Sequence, residues 1–310
     1  MTAAGRPTLR HRFTALPDHR QGLLAVLGAA VLWSTGGLFI KWVSLDAAGV
    51  TMWRSLFAAA TIALLWRTGF TRPLKPARIE LLIAVSYAVM LLLFVIATKL
   101  TTAANAIFLQ YTAPLHVLAW GSLVINERPS RLDAGALGIA FAGMTLFFVG
   151  KLDADNAAGN LCALGSGLGF ALFLALLRRP ECGAHTRPNA MVLGNLLLVA
   201  ATLTWNAVRG EGAAFTPGAG DIAGLLVLGV LQIGLAYVFF AYGIARVRVL
   251  EASLIGMLEP VLNPAWVFFF LGERPGWWAV AGGTIIVFAV VGRTWFAERA
   301  RTEALVGAPA

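Results

Sequence analysis

Residues 114–129 read PLHVLAWGSLVINERP, and residues 260–275 read PVLNPAWVFFFLGERP. Each stretch opens on a proline, Pro114 or Pro260, and reaches a glutamate 13 residues later, Glu127 or Glu273, followed by Arg-Pro. The offset between the two is 146 residues throughout, with no gap. A shared tripeptide is weak in so biased a composition; its placement is not. Both stretches close the fourth apolar segment in a group of five, so the chain reads as two tandem repeats. An odd number of crossings per repeat sets the halves upside down relative to each other. That is a transporter architecture, with the solute site near the midplane at the repeat interface.

The rest of the chain agrees. Of 310 residues, 59% are hydrophobic and 13% charged, against roughly 25% charged in an ordinary soluble domain. So little polar surface cannot cover a water-exposed globule, which excludes disorder, coiled coil and soluble enzymes together. The bilayer remains as solvent. A helix needs about 20 mostly apolar residues to cross roughly 30 Å of hydrocarbon. That rule yields ten segments: 22–43, 47–66, 79–98, 102–125, 133–150, 158–177, 189–208, 221–245, 249–271 and 277–296. The expected fold class is all-α integral membrane, ten transmembrane helices as two inverted five-helix repeats around a central cavity. Residues 1–21 form a cytoplasmic N-terminal segment, 22–150 the first repeat, 158–296 the second and 297–310 a cytoplasmic tail. The first apolar segment is long for a signal peptide and lacks an A-x-A-like cleavage site, so it reads as a retained helix.

Charge orients the array. With the N-terminus inside, 18 Lys and Arg fall on the inner side, from Arg6, Arg10, Arg12 and Arg20 through Arg67, Arg72 and Lys75 to the tail. Only five, Lys41, Lys99, Lys151, Arg209 and Arg274, fall outside. This alternation follows the positive-inside rule and places both termini in the cytoplasm of a bacterial-type inner membrane. It also accounts for the net charge of +9 without a nucleic-acid partner. Cys162 and Cys182 make neither a disulfide framework nor a zinc site, and no metal or cofactor is expected.

Against this background the acidic residues discriminate best. Nearly all lie in loops or at helix ends, among them Asp46, Asp133, Asp153, Asp221, Glu127 and Glu273, with Glu251 near the start of the ninth segment. Only Glu259 falls well inside a span. A carboxylate at that depth is costly unless it is paired, protonated or facing water. Such a group can exchange protons with either side, or it can merely cap backbone groups freed by Pro260. His116 in the fourth span can bind a carboxylate or relay a proton near neutral pH, or be satisfied by a neighbouring helix. At about 100° per residue it shares a face with Asn105 and Thr112, and Glu259 shares one with Asn263 and Trp266. Two polar stripes on the fourth and ninth segments are what a midplane cavity requires.

Aromatic residues complete the expected lining: Trp33 beside Ser34, then Tyr87 and Phe94, Tyr111, Trp120 and Tyr237. The sixth segment adds Ser166, Phe170 and Phe173, and the eighth Gln232 and Phe239. Aromatic walls around a few polar groups suit a flat or apolar solute with a polar head, and each aromatic equally serves ordinary helix packing. Gly165, Gly169, Gly282 and Gly283 permit close helix approach.

Several motifs carry a family resemblance: Leu32-Trp33-Ser34-Thr35-Gly36-Gly37, Met52-Trp53-Arg54-Ser55-Leu56-Phe57-Ala58-Ala59, Thr102-Ala103-Ala104-Asn105-Ala106 with Pro114 and Glu127, Glu251-Ala252-Ser253, Leu258-Glu259-Pro260 and Gly272-Glu273. Over roughly residues 22–296 the chain resembles the drug/metabolite transporter superfamily, in its ten-helix group of two EamA-type repeats. Among bacterial members it is similar to exporters of amino acids and metabolites. The resemblance implies a carrier of small organic solutes and places an arginine at position 54, which favours a structural role; about seven residues into its span, Arg54 can snorkel outward or pair with an acidic helix end. In the sixth segment Gly165-Ser166-Gly167 replaces the Trp-Ser-Thr of the first, a departure from strict equivalence of the halves.

The leading functional expectation is a secondary transporter working by alternating access and exporting amino acids, aromatic or large neutral ones favoured, or related metabolites. No G-x-x-x-x-G-K-[ST] loop binds a nucleotide, so a proton or solute gradient supplies the energy, with Glu259 and His116 the coupling candidates. Its partners reduce to the solute and the lipid bilayer, with a monomer the plausible unit. An integral membrane enzyme acting on lipids needs paired carboxylates, a metal cluster or a base beside a nucleophile, and no H-E-x-x-H is present. A passive solute channel is the third reading; saturation and counterflow separate it from a carrier.

Overall fold

In bilayer hydrocarbon every backbone polar group must be satisfied within the protein, which leaves helices or closed barrels. The computed structural model describes residues 13–66, 76–125, 128–151, 155–210, 212–271 and 276–306, and among these every extended element is helical. Glu127, Glu273, Asp153, Arg6, Arg10, Arg12, Arg67, Arg72, Lys75 and Arg274 lie outside the described residues, as does the side chain of Trp120.

The first repeat holds α1 (Asp18–Trp33), α2 (Gly36–Trp42), α3 (Ala47–Trp66), α4 (Arg78–Leu100), α5 (Ala103–Gln110), α6 (Ala113–Ile125) and α7 (Arg131–Phe147). The second holds α8 (Ala157–Leu177), α9 (Thr186–Arg209), α10 (Ala219–Leu226), a π-helical stretch Val227–Leu235, α11 (Ala236–Ile244), α12 (Val249–Gly256), α13 (Glu259–Leu271) and α14 (Trp277–Val306). Side-chain caps start several of them. Thr102 Oγ1 accepts from Asn105 N at 3.0 Å, and Asn156 Oδ1 from Gly159 N at 3.0 Å. Ser130 and Asp133 bond reciprocally, side chain to backbone, at 3.1 and 3.0 Å, a capping box at the start of α7.

Among the described residues, seven helices are long and apolar enough to cross a membrane by length and composition. The fourth and ninth expected segments are each broken in two, at Tyr111-Thr112 and Met257-Leu258, and α7 has 17 residues. The breaks follow from Pro114 and Pro260, second residues of α6 and α13, which lack the N–H that would continue the preceding helix.

Polarity is inverted relative to a soluble protein. Leu64, Leu161, Val208 and Phe288 stand 70% or more exposed, while Arg54, Ser166, Asn195 and Asn206 are 0% exposed. Helix pairs α1–α11, α4–α8, α3–α9 and α7–α14 form the main contacts. At the last crossing a Cβ on Gly282 would stand 2.4 Å from both Gly143 O and Phe147 N, so the two backbones touch there.

Two sets of polar contacts mark opposite ends of the helices. One end is an ion network. Arg293 Nη2 binds Asp133 Oδ1 at 2.7 Å while its Nη1 binds Glu251. Arg248 adds a second cation on Asp133 at 2.8 Å. His19 bridges Glu251 and Glu298 at 2.9 and 2.7 Å. At the other end, Ser44 N and Oγ donate to the two oxygens of Asp221, each at 2.7 Å. There Lys41 and Lys99 donate to the carbonyls of Thr101 and Val43. Lys41 thus binds a helix terminus.

Candidate functional site

The interruptions position the site. At the end of α1, Ser34 Oγ and Thr35 Oγ1 bond back to the carbonyls of Val31 and Leu32 at 2.6 and 2.8 Å, a local alternative to continuing the helix. The breaks after Trp33, at Tyr111 and before Glu259, together with the π-helical stretch, meet at one buried cavity. Stretches with π-type bonding frequently occur at functional sites. The cavity is bordered by Trp33, Arg54, Gln110, Gln232 and Glu259, with Met90, Leu91, Phe94, Phe170, Ile233 and Tyr237 as its apolar and aromatic walls. Its volume is about 30 Å³, room for roughly two waters.

Its polar atoms are incompletely paired. Arg54 is 0% exposed, and Nη2 donates to the Leu91 carbonyl at 3.3 Å. Among the described residues, Arg54 Nε and Nη1, Trp33 Nε1 and Gln232 Oε1 have no hydrogen-bond partner. Tyr111 Oη lies 2.6 Å from Glu259 Oε2 and 2.7 Å from Gly256 O. Gln110 Nε2 donates to Ser166 Oγ at 2.8 Å, and that hydroxyl donates to Met90 O at 2.8 Å.

Of the residues expected here, Trp33, Phe94, Phe170, Gln232 and Glu259 border the cavity. Ser34 lies just outside it, accepting from Trp266 Nε1 at 2.7 Å, and Asn263 sits beside Gly37. Tyr87, Phe173 and Ser166 form the layer behind. Tyr87 and Phe173 pack on Tyr237 at 4.9 and 6.0 Å between ring centroids. Four others are displaced. Asn105 belongs to the Asp221 end, bonded to Thr101 and Asn160 at 3.0 and 2.8 Å. Thr112 turns its hydroxyl onto Leu109 O at 2.7 Å, and His116 is half-buried on α6 away from the wall. The break at Tyr111-Thr112 separates faces that an unbroken helix would have aligned. Phe239 is 39% exposed and packs on Gly28, because the wider turns of Val227–Leu235 rotate it off the face that Gln232 occupies.

The expectation for the arginine needs correcting. Arg54 does not snorkel and meets no acid among the described residues; it borders the cavity. Glu251 lies in the first turn of its helix, as expected, and is also a 2% exposed member of the ion network. Gln110 was not singled out. Its signal was available as an uncharged amide in the apolar run of the fourth span.

Residues 20–149 and 157–294 each match the EamA-like transporter family. The chain belongs to that family. An uncharacterized transporter of Archaeoglobus fulgidus is 26% identical over 273 residues, covering 88% of this chain and 96% of its own length. An uncharacterized inner membrane transporter of Salmonella typhimurium is 24% identical over 294 residues, with 88% and 94% covered. A crystal structure superposes with a TM-score of 0.75 at 17% identity, over 89% of this chain and 98% of that one, which supports the fold. This EamA-like transporter is a multi-pass membrane protein of two family repeats, with several apolar helices around a buried polar cavity.

Proposed function

We propose that this chain is a secondary transporter carrying small organic solutes across an inner membrane by alternating access, exporting amino acids (aromatic or large neutral ones foremost) or related metabolites. One observation carries the reading. Helix interruptions in both repeats converge on a buried cavity where Arg54, Glu259, Gln110 and Gln232 stand among aromatic rings. Discontinuous helices around a midplane site are the recurring device of secondary transporters.

Ten crossings, with the halves inverted and the Asp133 end in the cytoplasm, complete the proposal. Two matched contacts support it. A Cβ on Gly22 would press on Arg246 and Val247, and one on Gly159 on Leu100 and Thr101. The first contact sits near the Asp133 end and the second near the Asp221 end, and each partner pair lies 146 residues from the other.

Glu259 is the coupling group. One hydroxyl hydrogen on Tyr111 serves one acceptor. Both of its short contacts are filled when Glu259 carries a proton, donates it to Tyr111 Oη, and the tyrosine donates to Gly256 O. Ionisation removes one link of that chain and gives the cavity a charge opposite to Arg54.

The test is counterflow in proteoliposomes with labelled L-phenylalanine and L-leucine. Saturable exchange is expected, with a pH gradient driving net accumulation by the wild type. Glu259→Gln should keep exchange and lose gradient-driven accumulation; accumulation at the wild-type level in that variant removes Glu259 from coupling. Flux that never saturates and shows no counterflow favours a channel instead.

A further inference from the structure

The orphaned polar atoms of the cavity fall into two kinds. Arg54 Nε and Nη1 and Trp33 Nε1 are donors, and Gln232 Oε1 is an acceptor. An arginine placed in hydrocarbon for structure alone is normally paired with an acid or with backbone carbonyls. Arg54 has one long bond to a carbonyl, at 3.3 Å, and among the described residues no ion pair. Its two unpartnered nitrogens carry three N–H groups, and the Trp33 indole adds a fourth.

We propose that Arg54 is the anchor for a solute carboxylate, so that the carried solutes are carboxylic acids bearing an amine close to the carboxyl group, the chemistry of an α-amino acid. This rests on the transporter reading and supplies the group that recognises the solute. A carboxylate is acceptor-only with about four lone-pair sites, and guanidinium binds it by charge-assisted hydrogen bonds. Gln232 Oε1 and the Glu259 carboxyl, bordering the same cavity, accept from the ammonium group. Phe94, Phe170 and Tyr237 wall the space left for a side chain. At about 30 Å³ the cavity holds waters and no amino acid, so the solute enters when the repeats move apart.

The experiment uses the full chain in proteoliposomes, loaded in turn with each of the common L-amino acids, and reads counterflow of the labelled compound. At least one amino acid is expected to exchange, and its carboxamide to exchange roughly tenfold more slowly or less, as the loss of charge-assisted hydrogen bonds requires. Arg54→Lys and Arg54→Met should lower exchange of the acid by a similar factor. Arg54→Met should melt in detergent at or above the wild-type temperature, because an unpaired buried charge is replaced by a packed apolar chain. A purely structural arginine gives the opposite pattern, a lower melting temperature with exchange tracking the amount of folded protein, and that pattern overturns the proposal. A carboxamide that exchanges as fast as the acid, or wild-type exchange by Arg54→Met, also overturns it and leaves the transporter reading standing, with water satisfying the orphaned donors. Exchange of sugars, nucleosides or organic cations without any amino acid has the same consequence. No exchange of any of these solutes overturns both readings. If neither variant folds, the comparison of acid and carboxamide on the wild type decides alone.

Discussion

A single hydroxyl ties the two halves together at the cavity. Tyr111, at the break between α5 and α6, reaches across to Glu259 and Gly256 at the corresponding break in the second repeat. Tyr111→Phe leaves two buried oxygens one partner short, which costs roughly 1–3 kcal/mol. The expected outcome is a lower melting temperature in detergent together with altered pH dependence of solute exchange. An unchanged pH profile would detach Tyr111 from coupling while leaving its structural role. Glu259 was legible in the sequence because a carboxyl deep in an apolar span stands out by composition alone. Arg54 was equally visible as a residue, but its place at the cavity was not. Whether an arginine several residues into a span snorkels or turns inward depends on its neighbours, here Leu91 and Gly229, whose own approach is set by packing.

Between elements, stability is concentrated where charge or backbone is buried. Arg293 joins α14 to α7 through Asp133 and to α12 through Glu251, with all three side chains at most 5% exposed. Arg293→Ala removes the cation shared by two buried carboxylates, leaving Asp133 with Arg248 and Glu251 with His19, and removing one partner of a buried pair costs up to about 3–5 kcal/mol. Arg299→Ala breaks a pair whose members are 63% and 65% exposed, and such surface pairs are worth about 0–1 kcal/mol. Melting curves of the two variants side by side check the contrast. Gly282→Ala drives a methyl group into Gly143 O and Phe147 N, and overpacking of this kind costs about 1–3 kcal/mol. Gly292→Ala, with nothing within 4 Å of its Cβ, should be neutral or stabilising by up to about 1 kcal/mol. The sequence placed Asp133 and Glu251 at helix ends and joined neither to Arg293. Their meeting links residues up to 160 positions apart and is invisible to any local pattern. The π-helical stretch was missed for a related reason, since a periodicity of 3.6 was assumed through residues where the helix widens.

For the whole molecule, the proposed inverted halves make a topological prediction. In a chain freed of Cys162 and Cys182, single cysteines at the exposed positions Lys151 and Glu181 lie toward opposite ends of the bundle. Impermeant maleimide added to intact cells should label Lys151→Cys, and Glu181→Cys should react only after the cells are opened. Labelling of both from one side contradicts the alternating order of crossings. The same two ends account for the charge pattern, because basic residues that never contact a solute still decide which side each loop occupies.

Composition by itself determined the solvent, and repetition determined the plan. A chain with 59% hydrophobic residues belongs in a bilayer, and a motif recurring at an offset of 146 implies two repeats. The depth of Glu259 was also written there, whereas the segments carrying Pro114 and Pro260 read as unbroken spans and only the structure divides them. Only the tertiary structure decided which faces meet at the cavity, admitting Arg54 and Gln110 and turning Phe239, Asn105 and His116 away. The reason is physical. In water a polar face tells a helix which way to turn, but these helices are apolar on nearly every side, and lipid tails are as apolar as a neighbouring helix. Close packing, backbone contact at small residues and the satisfaction of a few buried polar groups then choose the orientation, and each of these is a property of two or more elements at once.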